Sequence, residues 1–183
     1  MSVSYAELQS LWGDRNLIHF PLDRFDGVLG PLGPEVFPPD GAQPVDVPIL
    51  FTALIDHPQI AVFTHLELEF EGEKPGSLIV LGSAPGNAVM LFCLDAISGE
   101  VLLLDLDTAA IEVCNGTYAT FVEFLFRLGQ LIATDPGGRE RAERARELHD
   151  RLRALDPAAF EDPESWWSAA FLRLESTGSQ LES

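Results

Sequence analysis

Apolar and acidic residues alternate through THLELEFEGEK, residues 64–74: Leu66, Leu68 and Phe70 against Glu67, Glu69 and Glu71, with Glu73 just beyond. A strand turns successive side chains to opposite faces. The pattern therefore predicts three hydrophobes on one face and a row of carboxylates on the other. LLLDLD, residues 102–107, repeats the design, with Asp105 and Asp107 alternating with Leu104 and Leu106. Around these lie further apolar runs rich in β-branched and aromatic residues. QIAVFTHLELEFEG ends at EKPG, SLIVLGSA at PGN and AVMLFCLDA at ISGE, and EVLLLDLD leads to AAIEVCN. Short strands punctuated by turn residues predict an antiparallel meander, with a tight turn at Ser98–Glu100.

After Asn115 the period changes. YATFVEFLFRLGQLIA carries Phe121, Phe124, Leu125, Leu128, Leu131 and Ile132 at helical spacing, with Asn115 or Thr117 as its cap. TDPGG ends it. RERAERARELHDRLRAL is a second helix, with Ala142, Ala145, Leu148, Leu152 and Leu155 on one side and charges on the other. DPAAFEDPESWWSAAFLRLES gives a third, bearing Trp166, Trp167 and Phe171. At the other end, SYAELQSLW is a short helix, with Ser4 and Glu7 at capping-box spacing and Gly13 as its stop. NLIHF suits a short strand. Residues 21–48 are rich in proline and glycine, which predicts an ordered loop packed through Val28, Leu29, Leu32, Val36 and Phe37. ILFTALIDHP fits either helix or strand.

The order of helix, loop, strands and helices predicts an α+β fold: an antiparallel or mixed sheet with helices packed on one face. The expected organisation is a single domain over 1–183. Within it, 1–57 hold the first helix and loop, 58–114 the sheet, 115–175 the C-terminal helices and 176–183 a tail. The Glu67, Glu69 and Glu71 row is expected on the sheet face that the helices leave free.

Charge sharpens this picture. The chain carries a formal −18, of which residues 1–126 hold −15, from 18 acids against Arg15, Arg24 and Lys74. The acidity belongs to the sheet half. It argues against nucleic acid, whose phosphates need clustered Lys and Arg, and against anionic membranes. A basic protein is the natural counterpart, and a merely solvating surface is the alternative. No basic-then-apolar leader and no apolar run of roughly 18 residues is visible. A cytoplasmic protein with Cys93 and Cys114 as buried thiols is the expectation.

Catalytic chemistry finds little purchase. His19, His57, His65 and His149 have no metal-ligand spacing, and no nucleophile elbow, P-loop or dinucleotide fingerprint occurs. Neither a metal nor a cofactor is expected. Carboxylates at i, i+2 and i+4 on one wet face share one environment, whereas acid–base catalysis needs environments that differ. Asp95 suits a turn. Of the adjacent tryptophans, one is expected in the core and the other as a partner anchor.

Three segments together resemble the SUKH superfamily and within it the fourth immunity-protein subfamily. They are SLIVLGSAPGNAVMLFCLDAISGEVLLLD; CNGTYATFVEFLFRL, in which Asn115 and Phe121 match and Gly116, Thr117 and Tyr118 depart; and LDPAAFEDPESWW. The resemblance covers roughly residues 78–170. It implies a SUKH-like fold without catalytic residues and an antitoxin that neutralises a cognate bacterial toxin domain, often a nuclease or nucleic-acid deaminase. A non-toxin regulatory or scaffold module of the same fold is the other reading. Occlusion of a basic cleft would fall to Glu67, Glu69, Glu71, Glu73, Asp105 and Asp107, with Trp167 as the aromatic anchor.

Overall fold

A computed structural model of the chain describes residues 2–69, 71–72, 75–135 and 138–176. Helix α1 (Tyr5–Trp12) starts on the predicted capping box, the Ser4 side chain accepting from the Glu7 N–H and the Glu7 carboxylate from the Ser4 N–H. Strand β1 (Leu17–His19) follows. The proline-rich stretch that reads as loop contains 3-10 turns at Leu22–Phe25, Pro34–Val36 and Pro39–Gly41. It then contributes strands β2 (Ala42–Pro44) and β3 (Asp46–Val47), and β4 (Phe51–Thr52) comes next. The meander is β5 (His65–Leu68), β6 (Gly76–Ala84), β7 (Asn87–Asp95), β8 (Val101–Asp105) and β9 (Ile111–Asn115). Helices α2 (Tyr118–Ala133), α3 (Gly138–Leu155) and α4 (Trp166–Ser176) close the chain, with a 3-10 turn at Pro157–Phe160. Thr117, not Asn115, caps α2.

The fold is α+β. β1 and β2 form a small antiparallel ribbon. The main sheet runs β3-β4-β6-β7-β8-β9, and β5 lies beside β6 on the edge that β4 also uses. The sheet therefore begins at Asp46 rather than after residue 57. β4 touches β6 through a single pair, Thr52 with Ser83, a long-range match that local pattern does not announce.

β6 from Leu78 on, β7 over Leu91–Leu94 and β8 up to Leu104 are buried on both faces. On one face Ile79, Leu81, Phe92, Leu94 and Leu103 meet α2, the Phe92 and Phe121 rings lying 5.2 Å apart. On the other face Leu78, Val80, Leu91, Cys93, Leu102 and Leu104 form a second apolar cluster, joined by Leu66 and Leu68 and by Ile55 and Ile60 from residues 53–62. This corrects the expected acidic open face. The face away from the helices is apolar, and the hydrophobes of β5 point to it. Alternation separates two classes of side chain but does not say which face either class takes. Gly82 lies at a register shift in β6 where the Phe51 ring and the Thr52 carbonyl leave no room for a Cβ.

Two buried polar knots tie the halves together. The Tyr118 hydroxyl donates to Gln43 Oε1 (2.5 Å), and Gln43 Nε2 donates to the Leu81 carbonyl (2.9 Å). The Val3 N–H donates to buried Glu123 (2.7 Å), whose other oxygen pairs with Arg127 (3.1 Å). Cys93 and Cys114 are free and buried, and each belongs to a different face of the sheet.

Candidate protein-binding surface

Asn115, Asp156 and Trp167, from two of the three resembling segments, converge behind β9. Asn115 Nδ2 (3.1 Å) and the Gly116 N–H (2.8 Å) donate to Asp156 Oδ2, and the Thr120 hydroxyl lies 3.2 Å from it. Trp167 Nε1 donates to Asn115 Oδ1 (2.9 Å). Asn115 and Asp156 are 0 % and 7 % exposed, and both amide atoms of Asn115 and the Oδ2 of Asp156 are spent inside the protein. This is a clasp that fastens the start of α2 to the turn before α4. Trp167 belongs to it at 1 % exposure, in contact with Phe121 and Phe124, so its side chain is a core residue rather than the exposed anchor expected. Trp166 is the half-buried member of the pair. It packs edge-on to Phe92 while its backbone N–H donates to Glu112 (2.8 Å).

The expected acidic residues fall into separate places. Only Glu67 lies within β5, because the strand ends at Leu68 opposite Gly76. Glu67 is exposed and shares a side with His65, whose Nε2 lies 2.7 Å from Ser77 Oγ. Glu69 and Glu71 are exposed where the chain leaves the strand and turns at Gly72, and Glu73 lies outside the described residues. Asp105 and Asp107 sit at the opposite end of the sheet. Asp105 pairs with Met90, next to the Leu91–Ser83 pair, near the far end of β6. β6 runs from Gly76 to Ala84, about 27 Å at ~3.4 Å per residue. The two acidic groups therefore cannot meet one small cleft side by side. Asp105 also accepts from the Asp107 and Thr108 N–H groups, so it shapes its own turn, as Asp95 does for Ile97 and Ser98.

Charge pairing divides the molecule. Every ion pair among the described residues joins side chains between Glu123 and Glu175. Among the described residues, the carboxylates at the β5 edge have no cationic partner. Sequence reasoning finds these acids from alternation, but their distribution between two ends of a sheet follows only from strand register.

Among the described residues, no three His, Cys, Asp or Glu side chains are placed to share a metal ion. Burial pushes the Cys93 thiol up to about 12 and holds the Cys114 thiol and the Tyr118 hydroxyl well above their ordinary values. These groups sit in the core and line none of the three clefts that follow. One cleft, about 210 Å³, lies between α4 and the β3–β4 turn. A second, about 360 Å³, lies between α1 and α2. A shallow third, about 510 Å³, lies against residues 53–62. The His65–Ser77 pair borders none of the three. No helix among the described residues is long and apolar enough to cross a membrane.

The SUKH-4 immunity protein family model matches residues 3–173. The match extends the resemblance through the N-terminal third, and the chain belongs to this family. No curated protein and no solved structure matches the chain.

Proposed function

We propose that this member of the SUKH-4 immunity protein family is an antitoxin that binds a cognate bacterial toxin domain and blocks it by occlusion, without catalysis. The observation that supports this is the division of charge. Acids at the β5 edge face solvent without a basic partner among the described residues, while the helical half is balanced by its own ion pairs. Uncompensated like charge destabilises a compact chain, and a basic partner relieves it. A toxin acting on nucleic acid, a nuclease or deaminase, has a basic substrate cleft that suits such an edge. Glu67, Glu69 and Glu71 are the contacts we assign to it. Asp105 and Asp107, at the other sheet end, engage only a partner that spans the sheet. In this reading the chain works as one unit in the cytoplasm, where the toxin would otherwise strike its own cell.

A tagged chain used as bait in the source organism, eluted with rising salt, tests this. One protein with a basic C-terminal domain should elute at moderate salt. Association should slow as salt rises, because steering by exposed charge is screened. Replacing Glu67, Glu69 and Glu71 together with Gln should slow association about 10-fold without unfolding the chain, its Tm staying at or above the parent's because like charge is removed. A salt-independent rate, or a triple variant that binds like the parent, would remove the acidic edge from the interface.

A further inference from the structure

β9 ends the main sheet on the side away from β3, and its outer edge meets no further strand among the described residues. The register says which backbone groups that edge presents. The Asp105 N–H donates to the Ala110 carbonyl, so these opposite residues are a hydrogen-bonded pair. Bonded and non-bonded pairs alternate along an antiparallel ladder. Leu104 with Ile111 and Leu102 with Val113 are therefore non-bonded pairs, and Leu103 with Glu112 is the bonded pair between them. The N–H and C=O groups of Ile111 and Val113 consequently point away from β8. Among the described residues no other backbone group takes them up.

The side chains of Ile111 and Val113 are 38 % and 39 % exposed. Free backbone groups beside β-branched side chains form an edge that templates another strand, and soluble proteins blunt such edges with charge, proline, a bulge or a cover. The β5 edge carries exposed Glu67. β9 has neither Lys nor Pro. Its bulge falls at Cys114, which has no opposite residue on β8, beyond the Ile111–Val113 stretch. Its one charged side chain, Glu112, is turned toward α4, where Oε1 accepts from the Trp166 N–H.

Outward backbone groups on every second residue, about 7 Å apart, match an extended chain. Such a chain places one residue opposite each of Ile111, Glu112 and Val113. The outer two meet β-branched side chains. The middle one meets the Glu112 carboxylate, which pairs with no base among the described residues. Asp107, exposed in the turn that leads into β9, adds negative charge at one end. The edge therefore suits a base between two apolar residues. A second copy of this chain, at −18, would add like charge instead.

We infer that β9 receives an extended segment of a protein partner, in the pattern apolar–basic–apolar, as a further antiparallel strand of the sheet. This edge lies across the sheet from the carboxylates of β5, and the inference stands whether or not the partner is a toxin.

Acetyl-Thr-Val-Lys-Val-Thr-amide is a minimal probe. One control peptide carries Glu in place of Lys, and another carries a methyl group on the nitrogen of each valine. Amide hydrogen exchange of the full chain is followed by two-dimensional NMR. Without peptide, exchange should be fast at Ile111 and Val113 and slow at Glu112. With free probe at about ten times its Kd, exchange at Ile111 and Val113 should slow about 10-fold, because only the unbound fraction exchanges. The Glu peptide should bind at least about 3-fold more weakly, the worth of an opposite-charge pair across strands against a like-charge one. The N-methylated peptide should leave exchange unchanged. Val113→Pro removes one outward N–H, which an edge strand tolerates, and should abolish the protection of Ile111 while the circular dichroism spectrum is retained. Glu112→Gln, which keeps an acceptor for Trp166, should cut the preference for Lys over Glu to about half or less. Slow exchange at Ile111 and Val113 in the free chain, an N-methylated peptide that protects like its parent, equal binding of the Lys and Glu peptides, or a folded Val113→Pro variant that binds like the parent would each overturn the inference. So would a dimer in sedimentation that Val113→Pro dissolves, because a second copy would then be the occupant. None of the peptides involves a toxin, so failure here leaves the antitoxin proposal standing, and failure of the pull-down leaves this one standing.

Discussion

Replacing Asp156 with Ala tests whether the motif that joins Asn115, Asp156 and Trp167 is structure or active chemistry. In the native protein Asp156 Oδ2 accepts from Asn115 Nδ2 and the Gly116 N–H, at 3.1 and 2.8 Å. Asn115 is fully buried and its other amide atom is held by Trp167, so its Nδ2 has nowhere else to turn. Thr120 loses less, because its hydroxyl can donate to the Thr117 carbonyl at 2.9 Å. Two donors are therefore left without acceptors. Each buried orphan costs about 1–3 kcal/mol, and water reaching Gly116 recovers part, so about 3–4 kcal/mol is expected. A chain of this length loses ~2–4 °C per kcal/mol, which places the fall in Tm near ~10 °C. Circular dichroism melts and urea titrations of parent and variant read both quantities. Asp156→Asn keeps an acceptor in place and should cost about half as much. An Asp156→Ala variant within about 1 kcal/mol of the parent would refute the clasp. A variant of unchanged stability that no longer binds the partner would place Asp156 in the interface.

Other outcomes follow from the same geometry. Cys93, with its thiol pushed up to about 12 by burial, should resist iodoacetamide at pH 8 in the folded protein and react quickly in denaturant, as read by intact mass. Its raised value means that its contribution to stability is complete below the ordinary thiol value near 9 and fades as pH climbs toward 12. Gly82→Ala forces a Cβ against the Phe51 ring and within 2.6 Å of the Thr52 carbonyl oxygen, and should cost about 3 kcal/mol in urea unfolding. Ser4→Ala removes the side-chain acceptor of the α1 capping box and should cost about 1 kcal/mol by the same assay.

The amino-acid sequence determined the elements whose cause is local. The capping box at Ser4 and Glu7, the period of α2 and the turn-punctuated meander all depend on residues a few positions apart, and each forms at or near its predicted place. The family is legible in the same way, since its residues are caps, turns and close approaches. What only the tertiary structure decided depends on partners far along the chain. β3 and β4 join the sheet through Thr52 and Ser83. β6 to β8 are apolar on both faces, so the sheet carries a second core cluster where free acids were expected, and Leu66 and Leu68 go to it. Trp167 and Trp166 are indistinguishable in a linear reading, and it is the contacts with Phe121 and Phe124 and the hydrogen bond to Asn115, all distant in the chain, that hold the first inside. The candidate surface divides likewise. Composition shows that acids crowd the sheet half. Strand register, which no local pattern carries, places Glu67 and Asp105 near opposite ends of the sheet and turns the backbone groups of Ile111 and Val113 outward along its β9 edge.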